Sequence, residues 1–122
     1  MDLPIVGEQL TVSSSNGYVI TLGAGAHELH IEGELAVHSP SGPTLRRIAG
    51  EPHTEDVASA VAGEIVSATV TSTGELRIDL DSGNRLVVEP DRYFEAWNIT
   101  APGKYLVVCM PGGELAIWSE DT

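Results

Sequence analysis

Positive charge is scarce in this chain. Six lysines and arginines stand against eighteen aspartates and glutamates, a net charge of −12 at pH 7. The acids are spread along the chain, so they are not an acidic tail on a neutral domain. A field of that sign repels nucleic acid and anionic lipid and speeds encounter with a basic partner. Its blander consequence is solubility. Cysteine is scarcer still: Cys109 is the only one. It cannot close an internal disulfide, which makes the cytoplasm the default location. No stretch approaches the roughly 18 apolar residues of a membrane span. The opening Met1-Asp2-Leu3-Pro4 has no basic region followed by an apolar run, so no secretory signal is expected.

Catalytic constellations are missing too. His27, His30, His38 and His53 are the only histidines. His30, Glu32 and Glu34 alternate, which sets an imidazole and two carboxylates on one strand face if Gly33 keeps the register. Zinc can use such side chains, but no fourth ligand is evident, and a solvated strand face is the simpler reading. Cys109 stands in an apolar run and reads as a small buried group. A thiolate nucleophile needs a base and a positive environment. There is no G-x-S-x-G. The Gly23-Ala24-Gly25-Ala26 stretch sits between strand patterns, without the helix and lysine of a phosphate loop. Acid pairs such as Asp79 with Asp81 or Asp91 with Glu95 could do acid–base work, yet eighteen acids produce such pairs by chance. No cofactor and no metal are expected.

What is present is strand periodicity. The 122 residues make one domain, long enough to bury a core. Alternation marks strands at 9–13, 18–22, 27–32, 34–38, 64–71, 75–80 and 85–89. Residues 39–53 hold three prolines and two glycines and read as a long loop, functional or mobile more often than structural. Arg46 and Arg47 lie in it, with pairing to nearby carboxylates as the plain expectation. Thr54 can cap a short helix near 54–62, with Glu55 and Asp56 in its first turn and Val57, Ala60 and Val61 as its apolar stripe. The class is therefore mainly β or α+β: an antiparallel sheet of seven or eight strands with one short helix. The segments 17–32 and 74–89 also echo each other. Each runs from a glycine turn through an alternating strand and a four-residue connection to a second strand. Two related hairpin units would make a pseudo-symmetric sheet, although amphipathic hairpins resemble one another in any case.

Five of the six aromatic residues fall between Tyr93 and Trp118. Aromatics bury the most area per residue, so the core is expected to take Trp97 and Trp118 together with Tyr105 and Ile117. Tyr105 to Cys109 and Leu115 to Trp118 flank Met110-Pro111-Gly112-Gly113, a hairpin pattern. Glu95 between Phe94 and Trp97 either bonds backbone at a strand corner or faces a partner; the structural role is the expected one. Pro90-Asp91, Tyr93 to Trp97, Pro102-Gly103 and Val107 to Trp118 resemble a family of small bacterial proteins of unknown function, frequent in actinomycetes. The resemblance is clear over about the last thirty residues and implies membership but no mechanism.

Two function classes fit. The first is a non-enzymatic acidic module that binds a basic protein, in its specific form an immunity protein that occludes a toxin acting on nucleic acid or nucleotides. Its contact surface is expected to include Glu28, Glu32 and Glu34 on the first hairpin and Asp79 and Asp81 on the second, with no role for nucleic acid or membrane. The second is a small-ligand carrier or enzyme with a pocket between the sheet and the helix.

Overall fold

The computed structural model describes residues 1–101 and 105–119, without the side chains of Tyr105 and Ser119. Pro102 and Gly103 lie outside the described residues. The alternating segments form strands β1 (Gln9–Ser15), β2 (Ile20–Ala24), β3 (His27–Ile31) and β4 (Leu35–His38), then the short β5 (Leu45–Arg47) and the helix α1 (Glu55–Val61). The second half adds β6 (Gly63–Val70), β7 (Leu76–Leu80), β8 (Arg85–Val88), β9 (Trp97–Ala101), β10 (Tyr105–Cys109) and β11 (Leu115–Ser119). All described strand pairs are antiparallel, in the order β11-β10-β9-β3-β2-β1-β6-β7-β8-β4-β5.

That order is mirrored about the β1–β6 pair. The meander β1-β2-β3 lies on one side and β6-β7-β8 on the other, matching the echo between 17–32 and 74–89. Each leading strand also carries a register shift, between Val12 and Ser14 in β1 and between Ile65 and Ser67 in β6. Each fourth strand then crosses over. β4 follows β3 but pairs with β8, and β9 follows β8 but pairs with β3. The sheet thus doubles back on itself, and side chains from both meanders share one core: Leu22, Leu29 and Ile31 with Ile78, Leu86 and Val88. The two crossings lock together. The Ala96 carbonyl accepts from the amides of both Glu32 and Gly33 at 2.9 Å. A Cβ on Gly33 would sit 3.1 Å from that of Ala96, so glycine allows the close approach.

Helix α1 forms as the sequence predicts. The Thr54 hydroxyl accepts from the Val57 amide at 3.2 Å, Glu55 and Asp56 occupy the first turn, and Val57 and Val61 are buried. The helix packs on β1, β4 and β5. It is capped at Ala62, and Gly63 opens β6. The described residues form eleven strands where seven or eight were expected, and two of them, β5 and β9, lie where no strand pattern was read. β5 is a three-residue pairing inside the proline- and glycine-rich loop, held to β4 through Leu35–Arg47, Ala36–Arg46 and Val37–Leu45. β9 begins in the aromatic segment, and its Trp97-x-Ile99 alternation puts both residues fully in the core.

Candidate functional site

The five acids expected at the contact surface, Glu28, Glu32, Glu34, Asp79 and Asp81, are distributed over different parts of the surface. Glu34 and Asp79 share the outer face of β4, β8 and β7. On that face the strand register aligns Arg46, Ala36, Val87 and Arg77 in one row and His38, Arg85 and Asp79 in the next. A hollow of about 390 Å³ lies over Ala36 and Val87, rimmed by Glu34, Glu75, Glu89 and the three arginines. Most of the charge there is already matched. Glu34 meets Arg46 at 2.8 Å, Glu75 meets Arg77 at 2.6 Å, and Asp79 accepts from Arg85 at 2.7 and 3.3 Å. Donating to the Asp79 carboxylate raises the pKa of Arg85 above its ordinary value. Half of the chain's cations neutralise this one face.

The other three acids serve elsewhere. Glu28 projects from the outer face of β3, 3.5 Å from the His30 ring, which also meets the Thr21 hydroxyl at 3.2 Å. Glu32 lies in the β3–β4 crossing and lines a hollow with Tyr18, Gly50 and Phe94. Asp81 accepts from the Glu64 amide at 3.2 Å and so ties the β7–β8 turn to β6. Among the described residues, no group of histidine, cysteine and acids could hold a metal ion. Helix residues line none of these hollows.

The two loop arginines behave differently from each other. Arg46 makes the expected carboxylate pair. Arg47 is 1% exposed, and its guanidinium is satisfied by backbone carbonyls: Glu51 at 2.7 Å, Glu32 at 3.2 Å, Gly33 at 3.0 Å and Tyr18 at 2.6 Å. Burial lowers its pKa, opposed by the charge of Glu51. A planar five-donor head suits this task, since it can reach carbonyls from several loops at once. Arg47 therefore clasps the β1–β2 turn, the β3–β4 crossing and the loop after β5.

The aromatic segment divides in two. Trp97 is fully buried and its indole N–H donates to the Gly74 carbonyl at 3.0 Å. The Cys109 thiol, also buried, donates to the same oxygen at 3.5 Å, and burial raises its pKa. Gly112 and Gly113, with φ of 88° and 100°, turn the β10–β11 hairpin. A side chain on Gly113 would collide with the Thr73 carbonyl, and one on Gly74 with Gly113. Asp91 accepts from the Tyr93 amide at 2.7 Å, and its carbonyl accepts from the Gly112 amide at 2.8 Å. The Pro90–Trp97 and Met110–Gly113 segments are thus one packed junction around Gly74. Glu95 takes no part in it: it is exposed and makes no described hydrogen bond, so Ala96 and Trp97 hold the corner.

Trp118 and Ile117 correct the expectation of a shared aromatic core. They are 55% and 53% exposed, while the side chain of Tyr105 lies outside the described residues. The reason is topological. Among the described residues β11 ends the strand order, paired to β10 and to no other strand. Ile117 lies beside Val107, which is fully buried. Its own exposure means that the opposite layer ends before reaching β11. Both faces of this edge strand therefore meet water, with Leu115 and Ile117 on one and Ala116 and Trp118 on the other.

The chain is thus a doubled-back antiparallel β domain with a neutralised outer face and an apolar open edge. It belongs to a family of unknown function, DUF6188, whose model matches residues 1–119. Membership extends over the described fold, well beyond the C-terminal segment that carries the resemblance. No curated protein and no solved structure matches the chain.

Proposed function

We propose that this protein is a non-enzymatic binding module whose partner is a basic protein, and specifically a bacterial, cytoplasmic immunity protein that occludes a toxin acting on nucleic acid or nucleotides. One observation carries the reading: successive large apolar residues, Ile117 and Trp118, are each more than half exposed on an edge strand of a chain with net charge −12. Large apolar side chains left exposed at a sheet edge that can accept another chain mark an interaction site, and tryptophan is enriched among the residues that dominate interface energies. The acidic field supplies the complement to a basic toxin and would act mainly on the association rate.

The test is a pull-down from the source organism, followed by association kinetics at two salt concentrations. A basic protein is expected, with an association rate that falls steeply with salt as the Debye length shrinks from about 10 Å at 0.1 M. A toxin gene beside this one would agree. A partner whose association rate ignores salt removes the electrostatic part of the proposal. A small molecule retained in place of any protein favours the ligand-carrier reading.

A further inference from the structure

We infer that β11 is a strand-addition site: an extended segment of a basic partner, alternating apolar and cationic residues, pairs along β11 and becomes the next strand of the sheet. The inference rests on the proposed function and specifies its binding mode. Four features of the edge support it.

The first is hydrogen-bonding capacity. An edge strand turns a row of backbone N–H and C=O groups outward, a template for another chain. β11 runs for five residues and pairs through all of them with β10, from Cys109–Leu115 to Tyr105–Ser119, without a register shift. No bulge in this pairing turns the edge away from an arriving strand. The second is the absence of blocking devices. Proteins protect edges with proline, inward charge, bulges or shortness, and Leu115-Ala116-Ile117-Trp118-Ser119 has none of these. The third is apolar area on both faces of the strand. Ile117 and Trp118 project on opposite sides, so an added strand gains side-chain contacts above and below the sheet.

The fourth feature selects the occupant. Exposed Glu114 immediately precedes the strand, on a chain whose net charge is −12. An arriving segment that carries lysine or arginine meets that acid at one end and an attractive field along the rest. A second copy of this chain brings another net charge of −12 to the same edge, so self-pairing sets acid against acid.

Amide hydrogen exchange on the intact chain tests the mode directly. The probe is a capped eight-residue peptide of alternating lysine and valine, with a glutamate–valine peptide of the same length as control. The lysine–valine peptide is expected to slow exchange in residues 115–119 and to leave β5 unchanged, while the control does neither. Trp118→Ala is expected to weaken peptide binding about 30-fold, the scale of an interface hot spot. Ile117→Pro should abolish the protection. Because proline could also loosen the strand itself, Glu114→Lys serves as the second variant: it keeps the backbone intact and should weaken the lysine–valine peptide while strengthening the control. Protection that is absent, or that spreads evenly over the acidic surface, overturns the inference. So does protection of β11 that grows with protein concentration in the absence of peptide, since a second copy then fills the edge. A basic partner recovered from the organism that binds Trp118→Ala and Ile117→Pro unchanged defeats the strand-addition mode and leaves the proposed function standing. Peptide capture at β11 with no basic partner in the organism does the reverse.

Discussion

The sheet has two edges, and they are built in opposite ways. β5 is three residues long and backed by α1, with its own Arg47 buried and its Arg46 paired to Glu34. β11 is five residues long, apolar, and exposed on both faces. One chain thus carries both a protected and an unprotected edge, so the open one is not a general feature of this small sheet. Edge strands invite aggregation unless blocked. A surface that keeps its tryptophan and isoleucine in water departs from the consistency seen elsewhere in the fold, and such departures concentrate at functional sites.

The contrast can be broken from either side. The largest effect is expected at Trp97, the buried counterpart of Trp118. Trp97→Ala should cost about 3–5 kcal/mol in denaturant unfolding, from the cavity and from the Gly74 carbonyl left with one donor fewer. Arg47→Met comes next. It keeps an apolar stem but leaves the carbonyls of Tyr18, Glu32, Gly33 and Glu51 without their donor, a loss of about 4 kcal/mol at the low end of one to three per orphaned group. Urea midpoints at constant slope would measure it, and an unchanged midpoint would show that the clasp contributes nothing. Thr54→Ala removes the cap of the helix behind β5 and should cost about 1 kcal/mol.

Cys109 gives a pH-dependent test. Burial raises its folded pKa above the ordinary 9.0, so the native state holds the thiol proton more tightly than the unfolded chain does. The stability this contributes is intact below about pH 9 and is lost as pH rises toward the raised native value. Cys109→Ala should flatten that alkaline loss relative to the parent in thermal melts across the window. The smallest effect belongs to the open edge: Trp118→Ala should change stability by no more than about 0.5 kcal/mol, as for ordinary surface positions. A loss several times larger would mean that Trp118 is structural and that the two edges differ less than their exposure suggests.

Much of this architecture was legible in the residues. Alternation placed the two meanders, because each has one buried and one wet face, and Thr54 announced the helix. The echo between 17–32 and 74–89 anticipated the mirrored order about β1 and β6. β5 was hidden because three residues among prolines and glycines carry no periodicity; only its partner β4 makes it a strand. β9 was visible in Trp97-x-Ile99 but masked by the density of aromatics. The site was less legible. Local pattern says which residues face outward, but not which strand ends the sheet, so Trp118 read as core. Nor does it say which acids meet arginines. Glu34 and Asp79 are matched by Arg46 and Arg85, residues 12 and 6 positions away, once the strands pair.

The crossing of β4 and β9 has a consequence for how the molecule can be taken apart. A backbone cut between α1 and β6 leaves each fragment holding a strand whose place is beside the other's meander. Neither piece can complete its own sheet, but together they can reassemble, as interlocked fragments rather than as two docked domains. The intact chain faces the same constraint while folding. Neither crossing strand finds its partner until both meanders are present, so the closing step depends on distant pairings, and such topologies fold on the millisecond-to-second scale. The reunited fragments should regain the native spectrum only when mixed, and a fragment that folds alone would show that the interlock is not required.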